Sequence, residues 1–582
     1  MCRAAVCSAF NRSTILVERA KDVSVVIHDI HRVEKNQLVC VRTWRAAWLL
    51  AGLVLAGCGS TQVRRTPELE ALAARSGEIE KVKLADHSRS EPVTIEQATE
   101  EQAARAAEPD AAPHKAVELT LEEARADALT NNLDLKFSLV GPSLAQQTVD
   151  EERAKFEWTF FGSAGYSRRE QDDEGNTVTV QSYEAGVEAP LQTGGLLRAS
   201  LPFSRADASI DNVDGVAEAA VSVSYVQSLL RGAGTRINTH SIRIATYQKD
   251  ITDAYTKLSA IAILANVDIV YWQLYAARRE LDVRREQYKL AEDQLDHARR
   301  KVGAGAAAKI EIVRAEAGLA GRLEDVINAE TSVRDCERDL KRILNREDLP
   351  LSVEIDIIPT SEPDPIGLDL DAEAIVAVAL DNRMEMAELE FQLAVDDLDI
   401  ELARNRTLPD VTFDYTYATG SESGSLGSAL GDIGDGSLQN HAAGISAVIP
   451  LGNRAAQARY RRARLEKVRD RIDQERLRQS IRQEIYNAVD ELRQNWRRIL
   501  AAEQGVVTAY RDYKVEQSQF TLGKSTSTFV LQSASRLADA QSRRIRAFAE
   551  YEIAQVRLAR ATGTLLGHGR VQLHPSALED NM

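Results

Sequence analysis

A mainly α-helical chain, built as two tandem repeats that combine a few β-strands with very long coiled-coil helices, is the fold class this sequence predicts. Three observations carry that reading. The segment Ala128–Leu135 (ALTNNLDL) recurs 251 residues later as Ala379–Met386 (ALDNRMEM). Two proline-free stretches of more than sixty residues place apolar side chains at alternating 3-4 spacing, the seam of a coiled coil. Short segments instead alternate apolar and polar residues at the two-residue period of strands.

Composition agrees. Of 582 residues, 44% are hydrophobic, 27% charged and 5% aromatic, with 14 prolines, a balance of long amphipathic helices rather than of sandwiches or disordered chains. The net charge of −16 excludes a nucleic-acid groove, which needs surplus Lys and Arg to displace counterions. It is compatible with a solvated acidic surface or with an acidic interior passage. Cys2, Cys7, Cys40 and Cys58 fall in the first tenth of the chain and leave Cys336 alone in the body. A disulfide framework is therefore excluded there, and no second Cys or close His pair accompanies Cys336 to hold zinc, so it reads as a helix-face residue.

Residues 41–57 place Arg42 and Arg45 before an apolar run from Ala46 to Ala56, then small residues, the order of a secretory signal. The run is well short of the ~20 residues that span a bilayer as a helix, so cleavage is expected. Leu55, Ala56, Gly57 and Cys58 resemble the bacterial lipoprotein box, in which the Cys becomes the acylated first residue of the mature chain. Gly59, where Asp would retain such a lipoprotein at the inner membrane, is compatible with outer-membrane sorting. Glu18, Asp22 and Asp29 do not suit a signal peptide, so translation is expected to begin near Val39 or Val41, with residues 1–40 spurious. The segment from Met1 to Gly57 holds eight Lys or Arg and four Asp or Glu, so its removal takes the net charge from −16 to −20.

The body divides at composition shifts. Residues 58–116, rich in Ala, Glu, Arg and Pro, read as anchor and solvated linker. The first repeat spans 117–348, a connector with Pro350, Pro359, Pro363 and Pro365 spans 349–369, and the second repeat spans 370–566, followed by a tail at 567–582. Thr120 and Asp371 stand as N-cap-type residues before acidic first turns. Val411–Tyr417 and Val221–Tyr225 alternate as strands whose greasy face suits a soluble core, the reading that normally leads, or lipid, and the pattern alone does not decide between them. The first long helix runs from about Arg236 to Val302 with Val267, Val270, Leu274, Leu281, Ala291 and Leu295 on its seam and one break at Arg284. The second runs from Ala455 to about Phe520, with Ile481, Ile485, Ala488, Leu492, Trp496 and Ile499 on one stripe. At 1.5 Å per residue each is roughly 100 Å long and needs partners.

Three junctions resemble the TolC-like outer-membrane efflux protein family. Gln227–Gly234 (QSLLRGAG) and Ile449–Ala455 (IPLGNRA) are similar to its strand-to-helix passages, although Ser228 stands where the family usually has Pro. Gly305–Glu316 and Gly523–Gln532 resemble its helix-to-helix turns, and Tyr551 with Ala561–Leu566 its close. The resemblance implies a membrane β-barrel and an α-barrel tunnel: a homotrimer with four strands per chain in a twelve-stranded barrel and a twelve-helix tunnel. An isolated four-stranded sheet could not close, since about eight strands are needed. The first copy holds four strand-like segments, near 158–167, 177–189, 196–203 and 220–229, where two are expected. The hairpin around Thr193, Gly194 and Gly195 is expected to be an elaborated surface loop, the alternative being a longer barrel wall.

The resemblance further implies a periplasmic tip at the turn glycines Gly305 and Gly523, opened by a periplasmic adaptor (membrane fusion) protein and an inner-membrane pump. Family members carry carboxylates just past the second glycine; six and nine residues beyond Gly523 stand Phe529 and Gln532, and an acid survives only in the first copy as Glu311, near Arg314. Phe529 is expected to gate by size and dewetting, the alternative being a plain packing role between helices. The expected function is an outer-membrane channel subunit of a tripartite efflux or type I secretion system; the alternative is a lipid-anchored periplasmic coiled-coil scaffold without a pore. An enzyme is not expected. Gly303-Ala304-Gly305 follows a helix where a dinucleotide fingerprint requires a strand, and Gly523-Lys524-Ser525 lacks the leading glycine of a phosphate loop, with Ser518 in its place. No cofactor, metal or nucleic-acid partner is expected.

Overall fold

The computed structural model describes residues 115–170, 177–208, 216–423, 438–522 and 524–568, together with Ile95. The leader, Cys58, most of the linker, Gly523 and the tail from residue 569 lie outside the described residues. Residues Ala111–Met582 group as one unit, and it is this unit that carries the elements below.

Each repeat opens with a capped short helix. Strand β1 (Ala116–Leu119) leads into α1 (Leu121–Asn131), where the Thr120 hydroxyl accepts from the Glu123 amide at 3.2 Å and the Glu123 carboxylate accepts from the Thr120 amide at 3.0 Å. That reciprocal pair satisfies two of the amides a helix start leaves open. Helix α2 (Leu133–Ala154) follows, capped by Asn132, whose Oδ1 accepts from the Leu135 amide at 3.0 Å. Four strands come next: β2 (Thr159–Glu170), β3 (Thr177–Pro190), β4 (Gly195–Ala208) and β5 (Val216–Ser228). Then come the short α3 (Thr235–Asn238), the 64-residue α4 (His240–Gly303) and α5 (Ile310–Leu344).

The second copy repeats the order after β6 (Asp356–Pro359), a short strand within the Pro-rich connector that pairs in parallel with β1. Its helices are α6 (Ala372–Asn382) and α7 (Met384–Asn405), its strands β7 (Asp410–Ser423) and β8 (Leu438–Val448), then the 68-residue α8 (Arg454–Thr521), α9 (Ser527–Ala561) and α10 (Leu565–His568). Helices match in length: 11 residues for α1 and α6, 22 for α2 and α7, 35 for α5 and α9. Both copies also bolt their opening to their close. Asn132 Nδ2 donates to the Ile343 carbonyl at the end of α5, at 2.8 Å. Arg383, at the equivalent place in the second copy, donates to the Ala561 carbonyl at the end of α9, at 3.4 Å.

The long helices form where the seam says. Val267, Leu274, Leu281 and Leu295 on α4, and Ile481, Ile485 and Leu492 on α8, are all buried. Each such side chain contributes about 1.5–3 kcal/mol by leaving water. Helix α4 folds back on α5 and also packs against α2, α7 and α9, while α8 folds back on α9 and packs on α6 and α7. The break at Arg284 is filled by charge: its guanidinium meets Glu280 at 3.3 Å and Asp539 of α9 at 3.6 Å. Arg125 of α1 holds the fully buried Asp268 of α4 through two bonds of 2.7 and 2.8 Å.

Strand number departs from expectation. Among the described residues six strands, not four, form one antiparallel sheet ordered β2-β3-β4-β5-β7-β8. The hairpin β3–β4 is a wall of that sheet rather than a surface loop, paired from Val178 with Ala208 to Pro190 with Leu196. Its turn explains why. Gly194 adopts φ +86°, and a Cβ there would meet the Gly232 carbonyl oxygen at 2.2 Å, so only glycine fits. The Gly234 amide donates to the Thr193 carbonyl at 2.9 Å, fastening the turn to the passage between β5 and α4.

Asp396 of α7 lies buried beside Asp470 of α8, and burial together with that carboxylate pushes it up to about 6. A raised carboxyl contributes stability below the ordinary carboxylate range and loses it as pH rises through about 6. Asp396→Asn is expected to melt above wild type at pH 8, with the gap closing by pH 4.5. Melting curves of the purified protein followed by circular dichroism check this; parallel curves at all pH values would refute it.

Candidate functional site

Two features have the geometry of a transport path: the helix-turn tip and the two-faced sheet at the other end of the long helices. At the first turn, α4 ends with Ala304 and Gly305, the latter at φ +70°. The Gly305 amide donates to the Val302 carbonyl and the Ala306 amide to that of Lys301, both at 2.9 Å, which closes the helix end with its otherwise open carbonyls satisfied. The second turn has the equivalent bond, from the Lys524 amide to the Gln519 carbonyl at 2.9 Å. Gly523 itself lies outside the described residues.

Phe529 stands in the first turn of α9 and is 55% exposed, and Gln532 is exposed beyond it. Phe529 shares a groove with Glu516, Gln519, Lys524, Ser525 and Thr526, in which the Ser525 hydroxyl donates to the Glu516 carboxylate. Glu311 is not a free acid: the Arg314 guanidinium donates to it at 2.8 Å, one turn along α5. So the four tip candidates fall into two sets, an exposed apolar and amide pair on α9 and a self-neutralised ion pair on α5. Sequence reasoning missed Leu522, Ile310 and Val313, large apolar residues that also stand exposed around the turns. Their position beside the turn glycines was the available signal. Behind the tip, Phe520 of α8 contacts α4, with Lys301 Nζ 4.4 Å over its ring and His297 edge-on at 5.8 Å. Burial first, then Lys301 and Arg300, lower the His297 pKa, so it is held towards the neutral form.

The sheet has one greasy and one wet face. Following the ladders, Tyr183, Leu201, Phe203, Val223, Tyr415 and Ile445 share one side. On the other, Arg198 meets Glu184 at 3.0 Å and Thr412 bonds Ser446 at 2.7 Å. The alternation holds across the middle of the sheet, the pattern of a wall between lipid and water, while Arg205 and Asp207 of β4 carry charge onto the greasy side towards the far end of that strand. The sheet is also slanted. Stepping straight across the ladders from Thr159 at the start of β2 leads through Glu188, Arg198, Ser224 and Thr416 to Ala442, six residues short of the β8 end at Val448. With ~3.4 Å per residue and ~4.8 Å between strands, that stagger tilts the strands by about 40°, as in closed barrels.

Comparison with known proteins places these features together. The family model described as "Outer membrane efflux protein" matches residues 216–346 and 375–564. The outer membrane protein TolC of Vibrio cholerae is 22% identical over 331 residues, which cover 56% of this chain and 73% of that protein. Among solved structures, the CmeC outer membrane channel of Campylobacter jejuni covers 76% of this chain and 86% of its own, with a TM-score of 0.58 at 15% identity. The MtrE channel of Neisseria gonorrhoeae, in its open state, covers 78% and 94%, with a TM-score of 0.56 at 18% identity, so both share this fold. With more than half of its length matched, across both repeats, the chain belongs to the outer membrane efflux protein family.

Proposed function

We propose that this outer-membrane efflux channel subunit works as a homotrimer whose helical tunnel is engaged by a periplasmic adaptor and an inner-membrane pump, passing substrates from the periplasm or the pump to the exterior. The observation that carries the reading is the joining of a tilted, two-faced sheet to helices of 64 and 68 residues in one chain. A scaffold without a pore has no use for a lipid-facing wall.

Exposed apolar stripes support self-association. Leu133, Phe137, Val140 and Leu144 stand exposed on α2 at helical spacing, as do Leu465, Val468 and Ile472 on α8. Inside the chain the second-copy counterpart of α2, helix α7, packs between α4 and α8, with Phe391 against Tyr247 at 6.2 Å. The same packing between copies covers the α2 stripe with α8 of the next protomer. A heat-sensitive trimer in outer-membrane fractions, conducting ions in planar bilayers, is the expected result; a soluble monomer after anchor removal would sink the reading.

Cys58 is the lipid attachment point in this proposal, holding the chain at the outer membrane. Cys58→Ser is expected to abolish incorporation of radiolabelled palmitate while leaving trimers intact, and retained label would refute the assignment.

Phe529 closes the tip by apolar contact and dewetting, a role supported by its exposure and by the pairing of Glu311 with Arg314. A three-fold axis repeats each tip side chain three times around one constriction. Phe529→Asp is therefore expected to raise cation selectivity and divalent-cation block, read from reversal potentials in planar bilayers. Wild-type selectivity and block in that variant would remove Phe529 from the pore.

A further inference from the structure

We propose that the barrel of this channel is closed by six strands per chain, eighteen in the trimer, with β8 of one protomer laddered to β2 of the next in the register of the internal β5–β7 seam. The inference rests on the trimeric reading above and concerns the size of the pore and the seam that seals it.

The repeat itself supplies the template. Strand β2 begins at Thr159 and β7 at Asp410, the same offset that relates α1 to α6 and α2 to α7. Past the sheet the offset is smaller: Gly232 and Gly452, both at positive φ in the strand-to-helix passages, lie closer together along the chain than Thr159 and Asp410 do. The first copy therefore holds extra chain between β2 and β5, and β3 with its turn and β4, Thr177–Ala208, match that excess almost residue for residue. Hairpin β3–β4 is an insertion into a two-strand unit, and β5 and β8 are equivalent strands, as are β2 and β7.

That equivalence fixes the intermolecular seam. Inside the chain, the last strand of copy one, β5, pairs antiparallel with the first of copy two, β7, with Tyr225 opposite Tyr415. Carried through the two offsets, β8 pairs with β2 of the next protomer, with Ile445 opposite Ala164 of the partner subunit. Both sit on the apolar face of the sheet, so the lipid-facing band runs on without a break. An even number of antiparallel strands also makes β8 run opposite to the next β2, and the two edges are matched at 11 and 12 residues. The insertion adds two strands and so preserves this parity, and its apolar positions Tyr183, Leu201 and Phe203 continue the same face. A barrel's diameter grows roughly linearly with strand number, so eighteen strands in place of twelve widen it about 1.5-fold.

The seam is tested by disulfide trapping in a Cys336→Ser background. Ile445→Cys with Ala164→Cys is expected to give covalent trimers, and Ile445→Cys with Ser163→Cys, on the opposite face, is not. A trimeric preparation in which neither pair cross-links, or both do equally, overturns the seam, whereas a monomeric preparation overturns the trimeric reading and the proposal with it. Width is tested by polymer exclusion, because the tip dominates conductance and masks the barrel. Polyethylene glycols added at the barrel mouth in planar bilayers are expected to enter the wild type up to a radius about 1.5 times that admitted by a variant lacking residues 177–208. Equal cut-offs overturn the eighteen-strand wall. Where that variant fails to assemble, a bimane label on Leu201→Cys decides: quenching by brominated lipid supports a lipid-facing hairpin, and no quenching overturns it.

Discussion

In hydrocarbon an unpaired backbone amide or carbonyl costs several kcal/mol, and that constraint governs how this chain assembles. Its described sheet ends in two open edges, β2 and β8, of 12 and 11 residues. Among the described residues no helix packs on them, since α2 and α7 lead into the sheet and α4 and α8 lead away from it. Only another strand can satisfy such an edge in lipid, so on the trimeric reading folding of the wall and association of the copies are a single event. The tilt of about 40° gives the sheet the slant that closure requires.

The helical half follows a different logic, with α4 as its centre. It lies against helices from both copies, and its buried face is mainly apolar, interrupted by His240, Thr256, Asp268 and Gln287. Charges that enter that packing are answered: Asp268 by Arg125, Arg278 by Glu337, and Arg284 by Glu280 and Asp539. Such pairs add little net stability over an apolar core, because desolvation offsets their attraction. What they do is fix which helix lies against which, since a slipped register would leave Asp268 buried away from its guanidinium.

Much of this was legible in the sequence, and the misses share a cause. The repeat from Ala128 to Ala379, the caps at Thr120 and Asp371 and the two long helices stand where periodicity placed them, because each is a local property of the chain. The fate of the β3–β4 segment is not local. Alternation alone cannot tell a strand in a wall from one in a protruding loop; the hydrogen bond from Gly234 to Thr193 is what puts the turn at the helix end of the sheet. A signal did exist in the repeat offset, which shrinks between the start of the strands and the passages at Gly232 and Gly452. At the tip, Glu311 was visible as the surviving acid, while its neutralisation by Arg314 depends on the rotamers the two side chains adopt. The short β1–β6 ribbon joins the start of the first copy to the connector that follows it and carries no periodic signature of its own.

The length of α4 and α8 has a mechanical meaning. A rod about 100 Å long, held at the barrel end, moves its far end by about 1.7 Å for each degree of tilt. Between the two rods, close to that far end, the aromatic ring of Phe520 rests against Lys301 and His297. Weak contacts placed at the end of a long lever arm resist rotation as well as much stronger ones near the pivot, so a few small interactions suffice to hold the two arms together, and a modest push there suffices to part them.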